Sequence, residues 1–302
     1  MPFHTIIVGV DGRQGGRDAL ALAERMRSVA GDLVAVRAYA CESYASGVAG
    51  VDYERALRDE VRDALAAEVA QAGVWAELLA LSGGSPARAL HLAAERNEAA
   101  LIVVGSSHRG PVGRVVAGDD ALATLHGSPC PVLVAPGRYA ENHAPIRSVG
   151  VGFDGTAGSR AAVVLARDVA VALGARLKVL TVLEPPAAWT AYPSWAHDAT
   201  ASDRGARAET QATLDRFVAA LGADASAELL DGEPARELAR AGRELDLLVC
   251  GSRADGPLTR LLLGSTSECL ARESPCPVMV LPGGMPEHIL RDDPAWIAAH
   301  GS

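Results

Sequence analysis

Residues 6–12 read Ile-Ile-Val-Gly-Val-Asp-Gly, and the same pattern returns at residues 149–155 as Val-Gly-Val-Gly-Phe-Asp-Gly. Two further pairs of stretches recur in the same order, each at an offset of 146 positions: residues 101–106 with 247–252, and residues 128–132 with 274–278. Three matching blocks at a nearly constant offset indicate an internal repeat, in which each half of the chain is one structural unit.

Length and composition agree with two globular domains. The chain has 302 residues, and single cores seldom grow much beyond about 250. Hydrophobic residues make up 49% and charged residues 22%, which is an ordinary globular balance. The longest apolar runs fall far short of the roughly 18 residues that a membrane span needs. We therefore predict a first domain over residues 1–138, a second over 146–282 and a tail over 283–302, with no membrane association.

The net charge and the cysteine content indicate which binding partners and which cellular compartment to expect. The net charge is −9, only 4% of residues are aromatic and Lys178 is the sole lysine, so the chain lacks the basic, aromatic surface that binds nucleic acids. The five cysteines form no C-x-x-C pair, and residues 1–4 show no basic start of a secretory signal. A cytoplasmic protein with reduced thiols and no nucleic-acid partner is expected.

The pattern between the repeated blocks predicts an α/β fold. Short apolar runs are typical of strands covered on both faces, and they alternate with Ala-, Leu-, Arg- and Glu-rich stretches of helical spacing. The predicted strands of the first half are residues 5–10, 33–38, 74–81, 100–104 and 132–135, and the helices are 16–30, 52–72, 86–97 and 119–126. Each half is thus a doubly wound, five-stranded parallel-sheet domain, with ligands expected at the carboxyl ends of the strands. The terminal strands 132–135 and 278–281 would otherwise expose sheet edges, so we expect them to pair antiparallel.

The segment after the fourth strand of the second half has the layout of a phosphate site. It runs Gly251-Ser252-Arg253-Ala254 and, after an interval, Gly264-Ser265-Thr266 opens a helix. Glycines let backbone amides approach an anion, and the amides and hydroxyls at a helix N-terminus favour negative charge. The local sequence fits equally well a plain glycine turn in which Ser265 caps its helix.

Other nucleotide and catalytic motifs fit poorly. The sole lysine lies in a predicted strand, which excludes a P-loop, and no G-x-S-x-G elbow or clustered histidine set is present. Gly150-x-Gly152-x-x-Gly155 matches a dinucleotide fingerprint, but its first two glycines lie inside the strand. No general base, nucleophile or metal set supports turnover.

Three features together resemble the universal stress proteins: the Asp-Gly after the first strand, the G-x-x-G-x9-G-(S/T) pattern after the fourth, and the closing Pro-Cys-Pro-Val strand. Two copies cover residues 5–281. The resemblance implies an adenine nucleotide alpha hydrolase-like fold in tandem, and a site for ATP, with or without Mg²⁺. It also implies association into a homodimer and protein partners that the sequence does not name.

Residue by residue, the resemblance assigns roles in the second half. Asp154 and Val182, at the ends of the first two strands, would contact the adenosine. Gly251, Gly264 and Ser265 would hold the ribose and phosphates, with Ser252, Arg253 and Thr266 beside them. Ala254 departs from the family pattern, in which a glycine stands at this position.

The first half departs further from the pattern. Asp11, Ala38 and Gly105 remain, but His108 replaces the second glycine, and Gly118 is followed by Asp119-Asp120. Two carboxylates at the phosphate end would repel an anion, so we expect an impaired site. In one alternative, Asp119 simply caps its helix; in another, His108, Arg109 and Arg114 compensate for its charge.

The sequence is consistent with three functions. The leading one is an ATP-binding regulatory protein of the stress response that senses nucleotide mainly through the second domain. The alternative is an interaction scaffold that has lost nucleotide binding, and the third is a slow ATPase or adenylyl-transfer enzyme, for which the sequence supplies no acceptor.

Overall fold

The computed structural model describes residues 3–27, 31–40, 48–106, 115, 117–142, 144–184, 201–221, 224–252 and 263–283. Ten strands lie within these ranges: β1 Thr5–Gly9, β2 Asp32–Tyr39, β3 Glu77–Ser82, β4 Leu101–Gly105, β5 Val132–Ala135, β6 Ser148–Gly152, β7 Arg176–Leu183, β8 Ala225–Asp231, β9 Leu247–Gly251 and β10 Val278–Leu281. The α-helices are α1 Gln14–Met26, α2 Val48–Gln71, α3 Pro86–Arg96, α4 Asp119–Leu125, α5 Ala157–Leu173, α6 Ala201–Ala220, α7 Pro234–Ala241 and α8 Ser265–Glu273.

The strands are buried on both faces, as their continuous apolarity predicts. Ile6, Ile7 and Val8 of β1 are all fully buried. Ile6 and Val8 belong to one hydrophobic cluster and Ile7 to another, because successive side chains of a strand point to opposite faces. The protein therefore has two cores, one on each side of the sheet, and the strand ends are the main place left for a ligand.

All ten strands form one sheet in the order β3-β2-β1-β4-β5-β10-β9-β6-β7-β8. Every neighbouring pair is parallel except β5 and β10, which are antiparallel, with Leu133 opposite Met279. This confirms the predicted pairing of the two terminal strands. The junction removes two exposed edges, and β3 and β8 are left as the outer strands.

The helix starts confirm some predictions and correct others. The predicted helix 86–97 is confirmed at its start, where Ser85 caps α3 by accepting a hydrogen bond from the Arg88 amide at 3.3 Å. The proposed caps Ser265 and Asp119 are wrong. Gly264 and Gly118 occupy the N-cap positions in extended conformation, and neither helix has a side-chain cap. Ser265 and Asp119 are the first residues inside their helices.

The segment between the two halves, residues 136–146, is folded against α1. Asp18 of α1 is fully buried, and its carboxylate accepts hydrogen bonds from the backbone amides of Arg138 at 2.8 Å and Ala140 at 2.9 Å. Arg25 donates to the hydroxyl of Tyr139 and stacks on its ring. The connection is thus anchored to the first half. Within the described residues, no helix has the length and apolarity required to cross a bilayer.

Candidate functional site

Each half of the sheet carries a cleft at the carboxyl ends of its strands. The first cleft lies among the ends of β1, β2 and β4 and the starts of α1, α3 and α4, and spans about 630 Å³, part of it open to solvent. The second cleft lies among the corresponding elements of the other half, β6, β7, β9, α5, α7 and α8, and spans about 1080 Å³, part of it open to solvent. Both clefts are at the position where a doubly wound sheet is expected to bind a ligand.

The second cleft brings together six of the eight residues that the sequence assigned to it. They come from three strand ends and one helix start, and they are Asp154, Val182, Gly251, Gly264, Ser265 and Thr266. Ser252 is buried behind the lining, with its amide bonded to the carbonyl of Leu281 at 2.9 Å. Arg253 lies outside the described residues, as do Ala254, His108, Arg109 and Arg114.

The start of α8 gives the second cleft its polar wall. Ser267 uses its hydroxyl to donate to the Gly251 carbonyl at 3.0 Å, which ties the helix start to the end of β9. Gly264, at the N-cap, places no side chain over the first-turn amides. Amides and the positive end of the helix dipole can therefore face the cleft together with Ser265 and Thr266, a donor set suited to phosphate oxygens.

The Asp-Gly turn of each half has a structural role of its own. Asp154 accepts a hydrogen bond from the Thr156 amide at 3.0 Å, and Asp11 accepts one from the Arg13 amide at 3.0 Å. The glycines that follow have φ values of +79° and +84°, a left-handed conformation that glycine adopts without strain. The motif therefore shapes the turn, and it also places a carboxylate at the edge of each cleft.

The glycines that end β4 and β9 are required by packing. A Cβ at Gly251 would lie 2.5 Å from the carbonyl oxygen of Gly158 in α5, and a Cβ at Gly105 would clash in the same way with Gly15 in α1. Each helix starts directly against the end of its strand because no side chain intervenes. These glycines would be needed without any ligand, so they do not separate a working cleft from an impaired one.

In the first cleft, Asp11, Ala38 and Gly105 line the wall, and so does Asp120. Gly118, the N-cap of α4, is not among the lining residues, and Asp119 is solvent-exposed. Asp120 occupies the position that Thr266 has in the second half. A carboxylate thus stands where the second cleft offers a hydroxyl.

The number of carboxylates does not distinguish the clefts, but their positions do. Asp154 and Glu184 line the second cleft, and Asp11 and Asp120 line the first. Glu184 directly follows the strand β7, whereas Asp120 is in the first turn of the helix α4 itself. Among the described residues that line the two clefts, an acid in the first turn of the last helix, Asp120, is found in the first cleft and not in the second.

The buried thiols in both halves are uncharged and pack in the protein interior. Cys250 lines the second cleft, and burial raises its pKa to about 12. Cys130 and Cys276, in the two Pro-Cys-Pro motifs, are buried with pKa values raised to about 12 for the same reason. At neutral pH these thiols stay protonated, so they supply packing and no nucleophile. The described residues contain no group of three His, Cys, Asp or Glu side chains placed to hold a metal ion.

Sequence reasoning missed part of the second cleft's wall, including Phe153, Thr156 and Ser159. Phe153 stacks on Phe217 of α6, with ring centroids 4.7 Å apart. The spacing Thr156-x-x-Ser159 at a helix start was the available signal, since Thr156 caps α5 through the Ser159 amide at 3.2 Å. The first half differs beside its Asp-Gly turn, where Arg37 and Glu68 form an ion pair at 2.9 Å.

Comparison with known proteins gives the same family for both halves. The model of the universal stress protein family matches residues 2–136 and 145–282. A universal stress protein of Mycobacterium tuberculosis is 29% identical over 200 residues, which are 63% of this chain and 66% of that protein, so the match spans just under two thirds of the relative. A universal stress protein of Thermus aquaticus is 31% identical over 137 residues, 45% of this chain and 98% of the relative.

A solved structure extends the likeness to the whole architecture. The crystal structure of a universal stress protein from Archaeoglobus fulgidus is 20% identical, covers 93% of this chain and 99% of that chain, and superposes with a TM-score of 0.68. At that identity the match shows a shared fold.

Proposed function

Because this chain belongs to the universal stress protein family, whose model matches both halves, we propose that it is an ATP-binding regulatory protein of the stress response that binds nucleotide mainly in its second cleft. The observation that carries the proposal is the second cleft itself. It unites Asp154 and Val182 on one side with the uncapped start of α8 on the other, around about 1080 Å³.

The two sides of the second cleft suit the two halves of the ligand. Val182 and Leu238 offer apolar surface and Asp154 a hydrogen-bond acceptor, which fits a purine and its amino group. Gly264, Ser265 and Thr266 offer amides and hydroxyls at a helix N-terminus, which fits the phosphates. Mg²⁺ would then enter as the counter-ion of the bound ATP.

The first cleft is proposed to bind ATP weakly. Asp120 lines it at the helix start, and a like charge about 4 Å from a phosphate costs on the order of 1 to 4 kcal/mol at a surface-like dielectric. The adenosine side keeps Asp11 and Ala38. The first cleft should therefore discriminate against the phosphates more than against the nucleoside.

The wider role follows from the family and remains part of the proposal. We place the protein in the cytoplasm, where ATP occupancy of the second cleft would change its association with protein partners or with a second copy of itself. The hydroxyls at the start of α8 support the binding of nucleotide, and the protonated Cys250 thiol supplies no nucleophile for its turnover.

The proposal is tested by identifying what the protein carries. Mass spectrometry of small molecules released from the purified, denatured chain should detect an adenine nucleotide, and calorimetric titration of the emptied protein with ATP should give one dominant site. A chain that carries no nucleotide and gives no heat with ATP would be a scaffold, and the proposal would fail.

A further inference from the structure

A third concave surface lies outside both clefts, along the outer strand of the first half. It runs between β3, the N-terminal part of α2 and one face of α3, and measures about 740 Å³. We call it the arginine groove, because its polar lining consists of Tyr39, Glu54, Arg58, Ser82, Arg88 and Arg96. Three arginines and one glutamate therefore line the same groove.

None of the three arginines has an acidic partner of its own among the described residues. Elsewhere in this acidic chain arginines pair with acids, as Arg27 does with Glu24 and Arg272 with Glu268. Among the described residues, Arg58, Arg88 and Arg96 form no salt bridge. Like charges held in one groove repel each other, so an anion from outside would be bound favourably there.

The corresponding groove of the second half has the opposite charge. It lies beside the other outer strand, β8, and α7, and measures about 760 Å³. Its charged lining consists of Lys178, Glu228, Asp231, Glu237, Arg240 and Glu244. Three of those acids are paired, with Lys178, Arg207 and Arg240. The fold therefore does not impose an unneutralised basic groove, because its own duplicate lacks one.

The spacing of the arginines indicates an extended anion. Arg88 and Arg96 lie eight residues apart on α3, about 12 Å along a helix axis, and Arg58 approaches from α2. Guanidinium forks bind phosphate oxygens in a bidentate manner, and several along a groove suit a chain of phosphates better than a single one. We propose that the arginine groove binds the polyphosphate chain of a small ligand, at a site separate from the two clefts.

The test uses the full chain with Gly264→Asp in every sample, so that the start of α8 does not compete for phosphate. Calorimetric titration with inorganic tripolyphosphate is expected to show binding that weakens at least tenfold in Arg88→Gln/Arg96→Gln. The matched control is Arg236→Gln/Arg243→Gln, which removes two exposed charges from the equivalent part of the second half and should change the affinity less than twofold. All four side chains are exposed, so folding should be retained.

Three results would overturn the proposal: no tripolyphosphate binding, equal weakening in the control pair, or equal affinity for citrate, an anion whose charges are on three carboxylates. A parallel titration with ATP identifies the source of the phosphates. Arginine-dependent ATP binding in the same background would assign the groove to a nucleotide's phosphate tail, and binding of tripolyphosphate alone to an inorganic or non-nucleotide chain. Because the second cleft is blocked throughout, a failure here leaves the proposed function of that cleft unaffected.

Discussion

The two clefts share their fold, their Asp-Gly turns and their strand-end glycines, yet differ in the first turn of one helix. In the second cleft Gly264 is followed by Ser265 and Thr266, and in the first Gly118 is followed by Asp119 and Asp120. The shared residues have structural duties: the turns hold left-handed glycines and the strand-end glycines let helices start against the sheet. The two clefts therefore differ at residues that the fold leaves unconstrained, and the proposed difference in ATP binding depends on those residues.

The largest loss of ATP affinity is expected from a substitution at Gly264, which would make the second cleft similar to the first. In Gly264→Asp a carboxylate would occupy the N-cap of α8, take the first-turn amides and repel phosphates. Asp is a favoured N-cap residue, so the variant should fold. A like charge at about 4 Å costs on the order of 1 to 4 kcal/mol, so ATP affinity should fall by roughly tenfold to a thousandfold in calorimetric titration.

Gly205→Asp is the matched control for that prediction. Gly205 is exposed on α6, and a Cβ there meets no other atom within 4 Å. The control adds the same charge to the same half and should bind ATP as the unaltered chain does. Unchanged ATP binding in Gly264→Asp would show that the second cleft is not the site.

A second comparison uses the two Asp-Gly turns. Loss of a hydrogen bond to a charged group costs about 1.5–3 kcal/mol, so Asp154→Ala should weaken ATP binding roughly tenfold to a hundredfold. Asp11→Ala removes the same turn contact from the first half and should leave the dominant ATP site unchanged. Equal losses in both variants would mean that the clefts contribute alike.

The sheet was predictable because its signals are local and redundant. Continuous apolar runs located the strands, and the edge argument found the antiparallel junction that the Leu133–Met279 register confirms. The helix caps were predicted less well, since residue type alone favoured Ser265 and Asp119, whereas the backbone angles put the preceding glycines at the N-cap.

Contacts between distant segments had no sequence signal. Asp18 lies in an alanine- and leucine-rich helix, and its partners are backbone amides 120 and 122 positions later in the chain. Because a backbone amide does not depend on the side chain, the sequence does not mark these positions as partners. The arginine groove is lined by residues from three elements. In the sequence, each of these elements taken alone resembles an ordinary solvent-exposed surface. Such features depend on topology, and only the folded chain displays them.

Asp18 offers a test of how differently the two halves hold the connecting segment. The equivalent position in α5 is Ala161, three residues after a glycine that packs on its strand as Gly15 does. Asp18→Ala leaves two amides without their acceptor and should lower the free energy of unfolding by about 1–3 kcal/mol in urea titrations. Unchanged stability would mean that the segment is held by Arg25 and Tyr139 alone. ATP affinity should be unaffected.

The smallest effect is expected from converting the first cleft toward the second. Asp119→Ser/Asp120→Thr gives α4 the two residues that follow Gly264 and removes the repulsion at the phosphate end. ATP affinity at the first cleft should rise at least tenfold, which corresponds to about 1.4 kcal/mol, and should be measured in the Gly264→Asp background so that the second cleft is silent. Adenosine, which carries no phosphate, should bind the converted and unconverted clefts alike.

The conversion should also lower the stability of the protein slightly, and this change provides a second measurement of the same variant. Asp119 and Asp120 lie in the first turn of α4, where acids interact favourably with the helix dipole, each by about 0.3–1 kcal/mol. The variant should therefore be slightly less stable without ligand and regain stability with ATP. A rise in ATP affinity with adenosine unchanged assigns the difference between the clefts to charge at one helix start. If ATP affinity does not rise, residues outside this turn decide it, and the 630 Å³ of the first cleft becomes the next explanation to test.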